Sequence, residues 1–347
     1  MRIVVFTGPG GSGSSTVAAA AAVASARAGV MTVLVCHAAT PLTDAPAGAV
    51  PLEVESGLFA LTCEAGSWDG LGSPLLEDLA GLPGGREMVL LAQLHRLLTE
   101  GWSDLVVLDG PPVADCLRLV AAPAGLLRLL DRAPASLLRR WPSATASGLS
   151  PDQWRVRLRD LAGLLLGGSL SARVVVASHH DAASRARSAV VGLRLHGVPV
   201  DEVVVTGVAR GSDPARSART VSDALAPLAV RTVAPAASPP QGPEELAELG
   251  VEPLDPAHPP SRSEPQLVAD DGGYLLSMPL PYLTGGEVEL GRRDDVLLVG
   301  AAGARRVVDL PGVLRRCQVV SASVGDGWLR VRFRPDPALW PAGSDHG

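Results

Sequence analysis

The residues best suited to chemistry form a short glycine- and hydroxyl-rich segment, "GPGGSGSST" at 8–16. It follows the apolar run "RIVVFT" and precedes the alanine-rich stretch "VAAAAAVASARAG". A strand, a glycine loop and a helix start present backbone amides to an anion, so the segment predicts a phosphate-binding loop. The lysine that such loops use against the β- and γ-phosphates is missing. Whether the loop still binds a nucleotide, and whether it hydrolyses one, therefore depends on the residues around it.

The composition describes a globular chain that has lost lysine entirely. Among 347 residues there is no Lys and no Asn, so all 30 basic residues are Arg. The hydrophobic share of 47% and the charged share of 19% are typical of a folded core. A net charge of -6 argues against a non-specific nucleic-acid binder, which would carry a basic face, so no nucleic-acid partner is expected.

The four cysteines are far apart and contain no C-x-x-C pair, which gives no zinc signature. The N-terminus enters an apolar strand directly rather than a secretory segment, so we expect reduced cysteines. No apolar run reaches the about 20 residues that span a bilayer. The sequence thus predicts a cytoplasmic protein that does not span a membrane.

Continuous β-branched runs alternate with helix-like stretches along the first two thirds of the chain. Strands are predicted at 2–7, 31–36, 104–109, 172–178, 201–208 and 229–235. Helices are predicted at 85–101 and 181–197. Strands that are apolar throughout favour a parallel sheet covered on both faces, so the expected fold is α/β with a doubly wound, mostly parallel sheet.

Composition also divides the chain. A nucleotide-binding domain is expected over 1–252, and a leucine-rich helical insertion at 117–167 interrupts it. The leucines of the insertion either cover the sheet or form an exposed apolar groove. A proline-rich linker at 253–271 precedes short alternating segments at 272–334, which predict a small antiparallel β-sandwich, and a tail at 335–347.

The loop admits a second interpretation, because "GPGGSG" fits the dinucleotide-binding pattern G-x-G-x-x-G. That fold requires an acidic residue at the end of the second strand to hold the ribose. The second strand ends instead in Cys36 and His37. An NAD(P)-binding Rossmann protein is therefore the weaker alternative.

A longer match is more informative. The loop resembles the deviant phosphate loop of the ArsA and tail-anchored-protein-targeting ATPases, G-K-G-G-[VIT]-G-K-[ST]-[ST], and keeps the required residues at Gly8, Gly10, Gly11, Gly13, Ser15 and Thr16. Segments resembling the later motifs of that family follow in order: "CHAATPLTDAP", "DGPPVADCLRLVAAP", "LHGVPVDEVVVTGV" and "PPQGPEELAELG". Residues 274–333, with "LPGV" and "ASVGDGWLRVRF", resemble the small heat-shock (alpha-crystallin) domain fused to some bacterial ArsA-like proteins.

The resemblance implies a dimer that uses ATP or ADP with Mg²⁺ and handles an apolar protein client through its helical region. It carries nucleotide-binding roles onto Gly8, Gly10, Gly11, Ser12, Gly13, Ser14, Ser15, Thr16 and Thr206. It also carries Mg²⁺ contacts onto Ser15 and Asp109.

Several departures fall on positions that matter for hydrolysis. The two lysines of the family loop align with Pro9 and Ser14, and the switch aspartate that positions water aligns with His37. The adenine-reading asparagine aligns with Thr206. The Gly-His of the second switch aligns with Ala114 and Asp115. Lost catalysis on a retained scaffold is the expectation.

We therefore predict a pseudo-ATPase that acts as a binding, chaperone-like or regulatory subunit, in a homodimer or in a heterodimer with an active ArsA-like paralogue. The alternatives are a slow ATPase with Asp109 and His37 as catalytic candidates, or a client-binding module on an inert platform. Arg118 is interpreted as a helix-face residue. His179 and His180 are predicted to point apart, which would exclude a metal pair.

Overall fold

A computed structural model describes residues 1–36, 42, 52–62, 85–134, 136, 150–207, 213–257 and 264–339. The chain forms two compact units: Met1–Ala186 with Val198–Ser261, and Arg187–Gly197 with Arg262–Gly347.

The first unit is built on one eight-stranded sheet with the order β3-β4-β2-β5-β1-β6-β7-β8. Its strands are β1 (Arg2–Thr7), β2 (Thr32–Cys36), β3 (Leu52–Glu55), β4 (Leu58–Thr62), β5 (Leu105–Asp109), β6 (Leu170–Ala177), β7 (Val200–Thr206) and β8 (Ala229–Val233). Neighbouring strands are parallel except β3, which pairs antiparallel to β4. The predicted α/β fold with a mostly parallel sheet is confirmed.

The central strands are parallel because their sequences offer no polar face. Every residue of β1, β2 and β5 is buried, so each strand is covered on both sides. The helices of this part are α1 (Ser14–Arg27), α2 (Gly85–Glu100), α3 (Val113–Arg132), α4 (Pro151–Leu166), the start of α5 (Ala182–Leu195), α6 (Pro214–Leu225) and α7 (Gly242–Ala247). From Arg187 onwards, α5 belongs to the second unit. The order of the sheet reverses around β1, and in such folds ligands bind at the carboxyl ends of the strands near that point.

The edge formed by β3 and β4 was missed by the sequence prediction. The two strands form a hairpin across Ser56 and Gly57, and Gly57 takes a positive φ of 78°. Glu53 and Glu55 alternate with apolar residues because β3 lies at the edge of the sheet. The Ser-Gly turn between the alternating segment "LEVE" and the apolar segment "LFALT" is the signal that could have predicted this hairpin.

Helix α1 is the helix that the glycine loop leads into, and its alanines determine how it packs. The residues from Val17 to Val23 are all buried, and five of them are alanines. Small side chains allow a helix backbone to lie close to the sheet. The end of the helix is also fixed, because the hydroxyl of Ser25 accepts a hydrogen bond from the amide of Leu254 at 2.9 Å.

The second unit contains two antiparallel sheets, β14-β15-β10-β9 and β11-β12-β13. Its elements are β9 (Gln266–Asp270), β10 (Gly273–Pro279), β11 (Val288–Arg293), β12 (Val296–Ala301), β13 (Ala304–Asp309), α8 (Gly312–Arg315), β14 (Cys317–Gly325) and β15 (Trp328–Pro335). Along β15, the buried Leu329, Val331 and Phe333 alternate with arginines, as expected for a sheet with one buried face. The predicted C-terminal antiparallel β region is confirmed.

Among the described helices, none combines the length and the apolarity needed to cross a bilayer.

Two glycines of the first unit make a matched pair for testing the packing at the end of β5. A Cβ on Gly110 would lie 2.7 Å from Cγ1 of Val5 and 2.8 Å from the carbonyl oxygen of Phe6, whereas one on Gly163 of α4 would meet nothing within 4 Å. We expect Gly110→Ala to lower the free energy of unfolding by about 1–3 kcal/mol through overpacking. Gly163→Ala should raise it by up to about 1 kcal/mol through helix propensity.

The measurement is urea unfolding of the full chain followed by far-UV circular dichroism. Similar shifts of the unfolding midpoint for the two variants would contradict the close packing of Gly110 against β1.

Candidate functional site

The carboxyl ends of β1, β5, β6 and β7 lie side by side, and the candidate site residues follow them. The glycine loop joins β1 to α1, Asp109 ends β5, and Thr206 ends β7. The sheet therefore brings the predicted positions from distant parts of the chain together at the carboxyl ends of its strands. His37, which follows β2, lies outside the described residues.

The structure gives different reasons for glycine at the different positions of the loop. Gly8 has no room for a side chain, because a Cβ there would lie 2.0 Å from the carbonyl oxygen of Val175 on β6. Gly11 and Gly13 adopt positive φ angles of 77° and 80°, which favour glycine. Gly10 has neither reason, since its φ is not in the left-handed region and a Cβ would meet nothing within 4 Å. Open space beside Gly10 is what a group approaching the loop backbone requires.

The start of α1 offers the donors for such a group. Gly13 is the N-cap of the helix, and no side chain caps it. The first amides of a helix have no partner within the helix and lie at the positive end of its dipole. The amides of Ser14, Ser15 and Thr16 are therefore free within the helix to donate to an anion such as phosphate.

Thr206 and Ser12 hold the loop against the sheet. The hydroxyl of Thr206 donates to the carbonyl oxygen of Ser12 at 2.7 Å, and the Thr206 residue is only 5% exposed. The single hydroxyl proton of Thr206 is donated to the loop backbone. It is therefore not available for a hydrogen bond to the adenine base of a nucleotide. The Ser12 hydroxyl is buried as well, and it has no hydrogen-bond partner among the described atoms. A buried polar atom without a partner usually marks a water, an ion or a ligand group.

Asp109 places a carboxylate at the same end of the sheet. It pairs in register with Phe6 of β1 and with Cys36 of β2, and it is 2% exposed. The next residue, Gly110, donates its amide to the carbonyl oxygen of Phe6 at 2.9 Å, which fixes the turn after β5. A carboxylate and the hydroxyl of Ser15 are hard oxygen donors of the type that Mg²⁺ prefers, so this pair of side chains fits the ion by its chemistry.

The thiol of Cys116 is buried near the carboxyl ends of these strands and has low reactivity. Burial raises its pKa to about 12, and a hydrogen bond involving Thr7 offsets only part of that rise. The thiol therefore stays protonated at neutral pH and is a poor nucleophile and a poor metal ligand. Cys36, Cys116 and Cys317 are buried thiols outside any disulfide, as expected, whereas Cys63 lies outside the described residues.

The second-switch positions lie on the first turn of α3. Asp115 forms an ion pair with Arg118, whose side chain is 62% exposed. The interpretation of Arg118 as a helix-face residue is confirmed.

The prediction that His179 and His180 point apart is wrong. Their ring centroids lie 4.0 Å apart, at an angle of 49° between the ring planes. Nδ1 of His179 also lies 2.7 Å from a carboxylate oxygen of Asp181. The three residues form the turn between β6 and α5, and that turn folds the two neighbouring rings onto the same side.

The helical region exposes some of its apolar residues. Leu126 and Leu129 of α3 are 40% and 68% exposed, and Val156 of α4 is 53% exposed. Other leucines of these helices, such as Leu119 and Leu158, are buried. Part of the leucine content therefore builds the core, and part of it faces solvent.

Comparison with known proteins gives results for both units. Residues 271–333 match the family model described as the HSP20-like domain found in ArsA. Protein SCO2128 of Streptomyces coelicolor is 33% identical over 99% of this chain and 100% of its own length. Protein Rv2184c of Mycobacterium tuberculosis is 31% identical over 76% of this chain and 71% of its own. A putative arsenical pump-driving ATPase of Chlorobaculum tepidum is 22% identical over 96% of both chains.

The raised pKa of Cys116 leads to a test of how tightly the residues around this thiol are packed. With a pKa of about 12, only about one thiol in ten thousand is a thiolate at pH 8, so we expect no alkylation of Cys116 in the folded protein. The check is iodoacetamide labelling at pH 8, with peptide mass spectrometry, before and after urea denaturation. Rapid labelling of Cys116 without urea would show that the thiol is open to solvent.

Proposed function

The chain belongs to the ArsA-like proteins with a C-terminal HSP20-like domain, and we propose that it is a nucleotide-binding member in which hydrolysis has been lost. The observation that carries the proposal is a glycine loop between β1 and α1 with positive φ angles at Gly11 and Gly13, in a chain that contains no lysine.

Support for binding comes from the parts of the loop that protein packing does not explain. Among the described residues, no atom fills the space beside Gly10, and the buried hydroxyl of Ser12 has no hydrogen-bond partner. Backbone amides at a helix start bind phosphate without any side-chain charge. We expect weak binding of ATP or ADP, with a dissociation constant of about 0.1–1 mM, because the charge contribution is missing.

Magnesium would be held by the oxygen donors already described. Ser15 supplies a hydroxyl at the start of α1, and Asp109 supplies a carboxylate at the end of β5. A divalent ion there would neutralise part of the phosphate charge. The ion would therefore matter more for binding than it does where a lysine shares that task.

Support for lost hydrolysis comes from charge. Phosphoryl transfer depends almost wholly on positioning and on stabilising the charge of the transition state. Each fixed donor removed costs on the order of 3 kcal/mol, or 10² to 10³ in rate. Pro9 and Ser14 stand where the family has its lysines, and no lysine elsewhere can replace them. Only an arginine could supply the charge.

We propose that the protein works as a regulatory or binding subunit whose shape reports whether nucleotide is bound. The family resemblance favours a dimer, either of two copies or of one copy with an active ArsA-like paralogue. In the second arrangement the active partner would hydrolyse, and this chain would contribute its surface.

The first test is calorimetric titration of the full chain with Mg²⁺-ATP and with Mg²⁺-ADP, with a phosphate-release assay on the same sample. We expect saturable binding and no turnover above the spontaneous rate. Clear turnover would contradict the proposal and would support the slow ATPase, with His37 as the next residue to substitute. Absence of binding would contradict the proposed nucleotide binding, and the first unit would then serve only as a structural scaffold.

Gly10→Val is the matched variant for this titration. A side chain at Gly10 meets no protein atom within 4 Å, so the fold should be kept while the cradle is filled. We expect binding to weaken at least about tenfold, since the phosphate can no longer approach the backbone. Gly286→Val, which also projects into open space, is the control and should bind as the natural chain does.

Restoring the lysines distinguishes lost charge from lost water positioning. The double variant Pro9→Lys with Ser14→Lys should bind nucleotide more tightly and remain inactive, because His37, Ala114 and Asp115 still replace the switch residues. Recovery of turnover would mean that charge alone was missing.

A second candidate function, client binding, is supported by the exposed leucines of α3. Leu126 and Leu129 are three residues apart, so they lie on the same face of the helix. An exposed pair of this kind suits an apolar protein segment. This function does not require hydrolysis.

We expect Leu126→Ser with Leu129→Ser to weaken binding of a fluorescent 18-residue Leu/Ala peptide at least about fivefold, because apolar contact area is lost. Fluorescence anisotropy measures this binding. Leu339→Ser removes a leucine of similar exposure, 58%, and should have no effect. Equal losses in both variants would reject α3 as the binding face.

A further inference from the structure

The turn between β6 and α5 brings together three side chains that can bind a metal ion. His179, His180 and Asp181 each offer one ligand atom, and these three atoms lie within 4.8 Å of one another. The three members of this cluster are consecutive in the sequence.

The backbone of the turn is fixed by hydrogen bonds of its own. The amide of Ala182 donates to the carbonyl oxygen of His179 at 3.1 Å, and the amide of Arg185 donates to that of Asp181 at 3.0 Å. On the β6 side, the amide of Ser178 donates to the carbonyl oxygen of Thr206 at 2.8 Å. The side chains are thus presented from a rigid turn, which limits the entropy lost when they bind an ion.

The spacing is close to what coordination requires. Metal–ligand bonds from His and Asp to Zn²⁺ are about 2.0–2.1 Å, so two ligands at a tetrahedral angle lie about 3.3 Å apart. Nδ1 of His179 and Oδ1 of Asp181 lie 2.7 Å apart because they share a hydrogen bond. Coordination by both atoms would replace that hydrogen bond and open their separation by about 0.6 Å, and the three ligand atoms already lie within 4.8 Å of one another.

We propose that His179, His180 and Asp181 form a binding site for a divalent transition-metal ion of the zinc, cobalt or nickel type. Two imidazole nitrogens and one carboxylate oxygen suit these borderline ions, whereas Mg²⁺ and Ca²⁺ prefer oxygen ligands only. Three protein ligands leave at least one position for water or for an oxygen of another molecule.

Arg185 places a positive charge beside the proposed site. Its Nε donates to Oδ2 of Asp181 at 2.7 Å, and the side chain of Arg185 is 52% exposed. A bound cation would compete with this guanidinium for the negative charge of the same carboxylate. The opposition is small, because exposed ion pairs contribute little to stability.

This competition makes the site testable in two directions. Removal of a ligand should weaken binding, whereas removal of Arg185 should strengthen it. A purely structural role for the turn would not produce opposite effects.

The experiment uses the full chain after treatment with EDTA and buffer exchange. Calorimetric titration with ZnCl₂ measures affinity, and visible absorption with CoCl₂ reports the coordination geometry. We expect one saturable site in the natural chain, with affinity at least about tenfold lower in His180→Ala and in Asp181→Ala. Arg185→Ala should bind about two- to fivefold more tightly.

His95→Ala is the matched control, since it removes a partly exposed histidine of α2 in the same unit. It should bind zinc as the natural chain does, and circular dichroism should show that all variants are folded. Equal losses in His95→Ala and His180→Ala would overturn the proposal, as would the absence of a saturable site. Unchanged or weaker binding in Arg185→Ala would overturn the proposed competition at Asp181.

Discussion

The close approach of the glycine loop to β6 is the constraint on which the candidate site depends. Gly8 lies so near the carbonyl oxygen of Val175 that a Cβ would come within 2.0 Å of it, and no side chain fits there. Thr206, from the next strand, donates its hydroxyl to the carbonyl oxygen of Ser12. Two strands that are distant in sequence from the loop therefore contact it at two points, through the protein's own backbone and side chains.

These contacts explain how the proposed phosphate loop can hold its shape in a chain that contains no lysine. Glycine positions are maintained by sterics and by positive φ angles, which act on the fold of the protein itself. A lysine at the position of Ser14 would act on the nucleotide, so its loss costs the fold nothing. The shape of the loop and the charge needed for catalysis are therefore separable properties, and the observed φ angles and close contacts concern only the shape.

The two strands that support the loop, β6 and β7, are joined by ion pairs, which also include β8. Glu202 of β7, with a side chain only 6% exposed, pairs with Arg173 of β6 and with Arg231 of β8, each at 2.9 Å. Desolvation lowers the pKa of Arg173, and the neighbouring Glu202 opposes that shift. A buried pair adds little net stability, but losing one member would leave a buried charge unpaired. The network therefore ties β6, β7 and β8, two of which end at the candidate site.

The sequence alone determined which segments form the central sheet and where the loop lies, because apolar β-branched runs and glycine spacing are local signals. The order of the family motifs also pointed to the ArsA-like class. Only the tertiary structure decided that Thr206 supports the loop and that Gly10 faces open space, since both depend on contacts between distant strands. It also brought His179 and His180 together: the turn after β6 has no regular period, so sequence neighbours there can share a side.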